Sequence, residues 1–390
     1  MNPVIDLTKE YGIVLEGGGA RGAYQIGVWK ALQEAGVKIK GIAGTSVGAL
    51  NGALMCMGDL KNAEDVWNTI TYSRVMKVDD NVMESLFSGE IGFRKALSEA
   101  AGVLTEGGVD ITPLKELIAG HVDGSAIQAS PIDLYVQTFS VNEMKEIDVD
   151  MKHVEEELIP DFLLASAYLF PIFKNEKLHG KTYIDGGAIN NVPLDSLIRR
   201  GYQDIITIRI FGPGREKRVK IPEETNIISI EPRVKLGNII EFTSRKSQRN
   251  IKIGYYDGLR AIYGLKGTIY YIEENEEECY YLNQLITIDP QVSEYLMEVY
   301  RQNSDKELTI RNLTEAILPA MAMELRLQKT WTYRELYLAM LEATAKMCRV
   351  PKYKVYTVPE LQEAVHHKLY RLHDQDIPAF MQIISKYILI

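Results

Sequence analysis

The pentapeptide Gly44-Thr45-Ser46-Val47-Gly48 constrains this chain more than any other feature. Its serine stands between the apolar run Ile39–Ala43 and the helix-like run Ala49–Met57. A serine flanked by glycines at a strand-to-helix junction can occupy a strained turn that projects its hydroxyl from the edge of a sheet. Glycines are required there because side chains would collide with the adjoining strand and helix. The helix that follows directs the positive end of its dipole at the reacting atoms.

Two further glycine clusters give the pentapeptide a context. The first, Glu16-Gly17-Gly18-Gly19-Ala20-Arg21-Gly22, follows the short apolar run Tyr11–Leu15. Consecutive glycines leave backbone N–H groups open to a negatively charged oxygen. One reading is an oxyanion hole, with Arg21 adding positive charge nearby. Gly17-x-Gly19-x-x-Gly22 also fits a dinucleotide-binding fingerprint, but that motif expects an acidic residue about 20 positions on. The corresponding stretch here is Val37-Lys38-Ile39-Lys40-Gly41, which runs straight into the serine turn. The nucleotide reading is therefore the weakest. The second cluster, Tyr183-Ile184-Asp185-Gly186-Gly187-Ala188-Ile189-Asn190-Asn191-Val192-Pro193, puts an aspartate at the end of a β-like run. Alone it reads equally as an Asp-Gly turn capped by its own side chain.

In this order the three clusters resemble the patatin-like phospholipase family, whose pattern is G-x-G-x-x-G, then G-x-S-x-G, then D-G-G or D-G-A. The resemblance covers about residues 10 to 210. It implies a three-layer α/β/α fold with a mainly parallel sheet, and acyl-ester hydrolysis by a Ser46–Asp185 dyad. The backbone of Gly17, Gly18 and Gly19, with Arg21, would form the oxyanion hole. Gly22, Gly44, Gly48, Gly186 and Gly187 would be the motif's structural positions. The chain departs from the family at Tyr168 and Leu169, which are bulkier than the small residues that often precede Phe-Pro, a difference that bears on the acyl pocket. No metal or cofactor is implied.

The local pattern agrees with such a sheet. Strands are expected at Gly12–Leu15, Ile39–Ala43, Ile132–Phe139, Thr182–Ile184, Ile205–Ile210 and Ile227–Ile230, with helices such as Ala23–Ala35 and Leu114–Ala119 between them. Alternation of this kind implies a parallel sheet with sites beyond its carboxyl edge. All 30 glycines lie at or before Gly267, so the rest reads as helical. Helices are expected near Gln291–Arg301, Leu308–Leu327, Tyr333–Met347, Pro359–Leu372 and Pro378–Tyr387, with Thr357 and Glu360 as a capping box. The expected organisation is a catalytic domain over 1–288 and an all-helical region over 289–390.

A net charge of −9 argues against nucleic acid as a partner. The basic stretches Arg215–Lys220 and Arg245–Lys252 read first as solvated surface, with transient contact to anionic lipid as the alternative. Cys56, Cys279 and Cys348 show neither disulfide nor zinc spacing, and the N-terminus lacks signal-peptide features. A cytoplasmic protein is expected. The uncharged stretch Gly41–Gly58 has the length of a membrane span, but its glycines and polar residues fit a buried strand, turn and helix better.

Several alternatives remain at this stage. His366, His367 or His373 could complete a Ser-Asp-His triad, since all three follow Asp185. His121, His153 and His179 sit in no motif. The apolar segments Phe162–Ala165 and Tyr168–Phe173 fit an acyl groove, a lid or plain core. A phospholipid, lysophospholipid or neutral ester could be the substrate, and an acyl-serine could equally serve an acyltransferase. A non-catalytic lipid-binding or scaffold protein would keep the fold without the chemistry.

Overall fold

The computed structural model describes residues 1–88, 108–174, 177–300, 310–372 and 377–385. By its contacts the chain divides into two compact units, Asn2–Ile262 and Tyr263–Ile390, the second also taking in Met1.

The first unit is built on strands β1 (Glu10–Leu15), β2 (Lys38–Thr45), β3 (Asp133–Ser140), β4 (Lys145–Asp150), β5 (Tyr183–Asp185), β6 (Asp204–Ile208) and β7 (Asn226–Ile230). The order across the sheet is β4-β3-β2-β1-β6-β7, with β5 also paired to β3. Strands β3, β2, β1, β6 and β7 run parallel, while β4 and β5 are antiparallel to β3. The central strands are apolar runs buried on both faces, such as Ile13, Val14 and Leu15, as a parallel sheet covered by helices requires. All six strands expected from the sequence are present. The seventh, β4, is a half-exposed edge strand of sequence KEIDVD, too charged to stand out as β.

The helices of this unit are α1 (Ala23–Glu34), α2 (Val47–Met57), α3 (Leu60–Asn68), α4 (Asp80–Ser88), α5 (Thr112–His121), α6 (Gly124–Ala129), α7 (Ile159–Ser166), α8 (Leu194–Arg199) and α9 (Ser244–Tyr263). The uncharged stretch 41–58 is the end of β2 and the whole of α2, so it is a buried strand, turn and helix. Helix α1 packs hard against α9. A Cβ on Gly27 would lie 1.9 Å from the Ile251 carbonyl oxygen, and one on Gly254 would lie 2.0 Å from that of Tyr24. The Tyr24 hydroxyl also donates to Asp257 at 3.1 Å. This contact fixes α1, and with it the glycine loop that precedes the helix.

The second unit has its own core, including Tyr270, Tyr281, Leu296, Tyr337 and Leu341. Its helices include Glu278–Ile286, Pro290–Val299, Leu318–Glu324, Tyr333–Met347 and Val358–His366. Capping boxes are present at Thr332/Glu335 and at the expected Thr357/Glu360. The region after residue 288 is not wholly helical, because β9 (Val355–Thr357) pairs in parallel with β8 (Tyr271–Glu273). Residues 263–288, grouped with the catalytic domain on sequence grounds, belong by contacts to this unit. Their buried Tyr270, Ile272, Tyr281 and Leu285 pack into its core.

Candidate active site

Strand β3 brings the serine and the aspartate together. Along one of its edges Gln137 pairs with Thr45, the last residue of β2. The next residue, Thr138, pairs with Asp185, the last residue of β5. Strands β2 and β5 run in opposite directions and so meet end to end beside β3. Ser46, one residue past β2, therefore faces Asp185.

Ser46 carries φ 55° and ψ −126°, a backbone that residues with a side chain rarely adopt. Such a conformation costs about 1–3 kcal/mol and persists only where its surroundings enforce it. Here they do. The Ser46 N–H donates to Ser166 Oγ at 2.8 Å, and that hydroxyl donates to the Gln137 carbonyl at 2.6 Å. Thr45 Oγ1 donates to the Asn190 carbonyl at 2.9 Å, tying the turn to the aspartate loop. A Cβ on Gly48 would lie 2.3 Å from the Leu15 carbonyl oxygen, so only glycine fits where α2 crosses β1.

Asp185 is buried, and its Oδ1 accepts the Gly187 N–H at 2.7 Å. It thus caps its own turn and also faces Ser46. Burial pushes its pKa from 3.8 up to about 6, against the opposing pull of the Ser46 hydroxyl and the Gly187 N–H. Among the described residues no imidazole acts on this carboxyl. His366 and His367 lie in the second unit, and His373 lies outside the described residues. His179 is exposed and bonded to Asp161 at 2.8 Å, and His153 is paired with Asp150 at 3.2 Å.

The glycine loop flanks the same serine. The Gly17 N–H is taken by the Asn191 carbonyl at 3.2 Å. Gly18 and Gly19 line the cavity beside Ser46, and their N–H groups find no hydrogen-bond partner among the described residues. Two polar side chains hold the loop. Buried Glu16 accepts from the N–H groups of Ile210 and Phe211 at 2.7 and 3.0 Å, and from Arg209 Nε at 3.0 Å. Asn191 Nδ2 donates to the Gly17 carbonyl at 3.1 Å and to the Gly212 carbonyl at 3.3 Å. Arg21 does not line the cavity beside Ser46. Its guanidinium donates to the carbonyls of Gly237, at 2.9 Å, and of Ile210 and Phe211. Those bonds make it a brace between loops. Gly22 packs its Cα against Val47, and Gly44, Gly186 and Gly187 are close-approach positions of the same turns.

The cavity beside Ser46 holds about 380 Å³. Val47, Leu50 and Leu54 of α2 line it, with Trp67 of α3, Leu114 and Ile118 of α5, and Leu169, Phe170 and Phe173. The segment Tyr168–Phe173 therefore divides. Tyr168 is buried, and its carbonyl accepts the Asp185 N–H at 2.9 Å. Leu169, Phe170 and Phe173 contribute to the wall, and Phe170 stands 66% exposed at the rim. Sequence reasoning missed Ser166, which lies between the two apolar segments it named, and gave Asn191 no role although it stands in the aspartate cluster. It also missed His121, which lines the cavity from the end of α5.

The carboxyl edge of the parallel sheet thus presents a strained serine, a buried carboxylate and a loop of open N–H groups. Residues 13–198, a little under half of the chain, match the patatin-like phospholipase family. It is 28% identical to neuropathy target esterase sws of Drosophila melanogaster over 208 residues, which are 51% of this chain and 13% of that one. It is 31% identical to lysophospholipase nte1 of Aspergillus terreus over 207 residues, covering 52% of this chain and 12% of that protein. The chain thus spans only a small part of the relatives it matches. Among solved structures, VipD from Legionella pneumophila aligns over 96% of this chain and 83% of its own, at 14% identity and a TM-score of 0.39, too low to bear on the site.

If Asp185 accepts the serine proton, it must be ionised in the free enzyme. A carboxyl with a pKa near 6 is protonated below that value. The kcat/KM for a soluble ester is therefore expected to be low at pH 5, to rise through about pH 6 and to level off above pH 7. Rates measured from pH 4.5 to 8.5 with a non-ionising substrate check this. A profile centred near 4, or one falling across this range, would count against Asp185.

Proposed function

We propose that the chain hydrolyses acyl esters of lipids through an acyl-serine, with Ser46 as nucleophile, Asp185 as base, and the N–H groups of Gly18 and Gly19 as oxyanion donors. The observation that carries this is the end-to-end meeting of β2 and β5 against β3, which sets a strained serine against a buried carboxylate beside open amides. Ser46 Oγ attacks the ester carbonyl carbon while its proton passes to Asp185. The carbonyl oxygen becomes an oxyanion held by the two glycine amides. When the tetrahedral intermediate collapses, the bond to the leaving alcohol breaks and Asp185 returns the proton to the alkoxide. Water then attacks the acyl-serine, again giving its proton to Asp185. The fatty acid departs as Ser46 recovers its hydrogen.

The apolar cavity supports a fatty-acyl chain as the bound group. Among the described residues no helix is long and apolar enough to cross a membrane. In this reading the substrate is met at a lipid surface, where the exposed Phe170 suits the contact. All of the chemistry belongs to the Asn2–Ile262 unit. We place the protein in the cytoplasm, in keeping with three cysteines that form no disulfide among the described residues.

The test is covalent labelling followed by peptide mapping. A fluorophosphonate is expected to form one adduct, on Ser46, and to stop fatty-acid release from lysophospholipid in proportion to labelling. An adduct on a different serine, or none on a folded protein, would refute the assignment and favour a non-catalytic role.

A further inference from the structure

The cavity beside Ser46 has a mainly apolar wall along α2, broken by Asn51, with His121 and Val122 contributed by the end of α5. Val47, Leu50 and Leu54 recur at helical spacing and face it along the length of α2. Leu114 and Ile118 of α5 face it in the same manner, and the next residue of that stripe is His121. Ser46 is at the N-terminus of α2. His121 is at the other end: its Nδ1 lies 3.0 Å from Asn62 Oδ1, in the first turn of α3. The Asp123 N–H, two residues on, donates to the sulfur of Met57, the last residue of α2, at 3.3 Å. Apart from Asp185 beside the serine, His121 is the one ionisable side chain among the described residues that line the cavity.

We infer that His121 sets the acyl-chain length this site accepts, so that the preferred substrate is an ester of a medium-chain fatty acid. The inference rests on the acyl-serine reading. At 1.5 Å per residue, Leu54 lies about 12 Å and Met57 about 16 Å along the helix from Ser46. A methylene extends a zigzag chain by about 1.25 Å from ordinary C–C geometry. An acyl chain starting at Ser46 therefore reaches His121 after about 10 to 13 carbons. Up to that point each methylene leaves water for an apolar wall, which is worth about fourfold in affinity. Beyond it the chain meets an imidazole already held by Asn62. Passing it would strip a polar group of its contacts without apolar burial in return.

The experiment measures kcat/KM for p-nitrophenyl esters from C4 to C16 on the full chain. The values are expected to rise steeply to about C10–C13 and then fall. In His121→Leu the break should move to longer chains, raising the C16-to-C10 ratio at least tenfold. Leu54→Phe fills the groove short of His121 and should move the break the other way, lowering the C12-to-C6 ratio. A rise that continues unbroken to C16, or a break at the same length in both variants, would overturn the inference. Binding of saturated C6–C16 fatty acids to Ser46→Ala, measured by calorimetry below their micelle concentrations, should show the same break without turnover. That keeps the two claims separable: a chain with no esterase activity but a clear break fails only as a hydrolase. Active protein with no break fails only in the role given to His121.

Discussion

Replacing Asp185 with asparagine is expected to lower ester turnover by about 10⁴-fold and, in the same protein, to raise the melting temperature. Both effects come from one feature, a carboxyl buried behind the nucleophile. Asparagine keeps the size and the acceptor for the Gly187 N–H, but cannot take a proton from Ser46. Because the serine and its base act as a unit, Ser46→Ala combined with Asp185→Asn should lose little more than Ser46→Ala alone. The stability effect has a definite sign. In the folded state the pKa of Asp185 is about 6, above its ordinary value of 3.8. The unfolded chain thus releases this proton at lower pH than the folded one does, and stability falls as pH rises from about 4 to about 6. Above pH 6 the folded protein carries the full cost, on the order of 3 kcal/mol at one unit per 1.36 kcal/mol. Asparagine removes it, so the gain in melting temperature should be largest at pH 7–8 and shrink toward pH 4. A folded Asp185→Asn protein with turnover within tenfold of the original would move the base elsewhere, with His366, His367 and His373 the next candidates. A melting temperature that drops at pH 8 would mean that the carboxylate is better satisfied than its burial implies.

Much of this site was legible in the sequence because its chemistry depends on backbone. A strained serine turn, a loop of open amides and a turn after a strand each need glycine at fixed offsets, and glycine is visible without a structure. The parts that depend on long-range pairing were not. Strand β5 has three residues, and nothing in Tyr183-Ile184-Asp185 says that it runs antiparallel to β3 and ends opposite Thr138. Ser166 looks like one more small residue in Ala165-Ser166-Ala167, yet it anchors the Ser46 amide across 120 positions of sequence. Arg21 reads as free charge beside a glycine loop until three backbone carbonyls claim it. His121 lacks any motif because its role is positional, fixed by where α5 ends against Asn62. The compositional break after Gly267 lies close to the division after Ile262, whereas a boundary at 288 overlooked that β8 needs a partner from residues 355–357.

Gly19→Ala should be the most damaging single methyl group in the glycine loop. Gly19 has φ +54°, and a Cβ there would lie 2.1 Å from the Ile239 carbonyl oxygen. That oxygen already accepts the Ala20 N–H at 2.7 Å, so it cannot simply move away. The loop must shift, and the Gly18 and Gly19 N–H groups turn with it from the position where negative charge develops. Loss of one oxyanion donor costs about 10²–10³ in kcat, and loss of both would cost more. Backbone strain alone cannot account for such a fall, and Gly36→Ala separates the two effects. Gly36 has φ +79°, but a Cβ there would meet nothing within 4 Å. It should bear the same left-handed penalty of about 1–2 kcal/mol in stability while kcat stays near its original value. Both variants should still bind substrate, because the apolar side chains of α2 and α5 that line the cavity are untouched, so the change for Gly19→Ala belongs mainly in kcat rather than in KM. Active-site titration with a fluorophosphonate, followed by kcat per titrated serine, corrects for any misfolded fraction. Equal losses of kcat in the two variants would show that strain, and not the aim of the amides, governs the rate. An unchanged kcat in folded Gly19→Ala would remove this loop from the oxyanion role altogether.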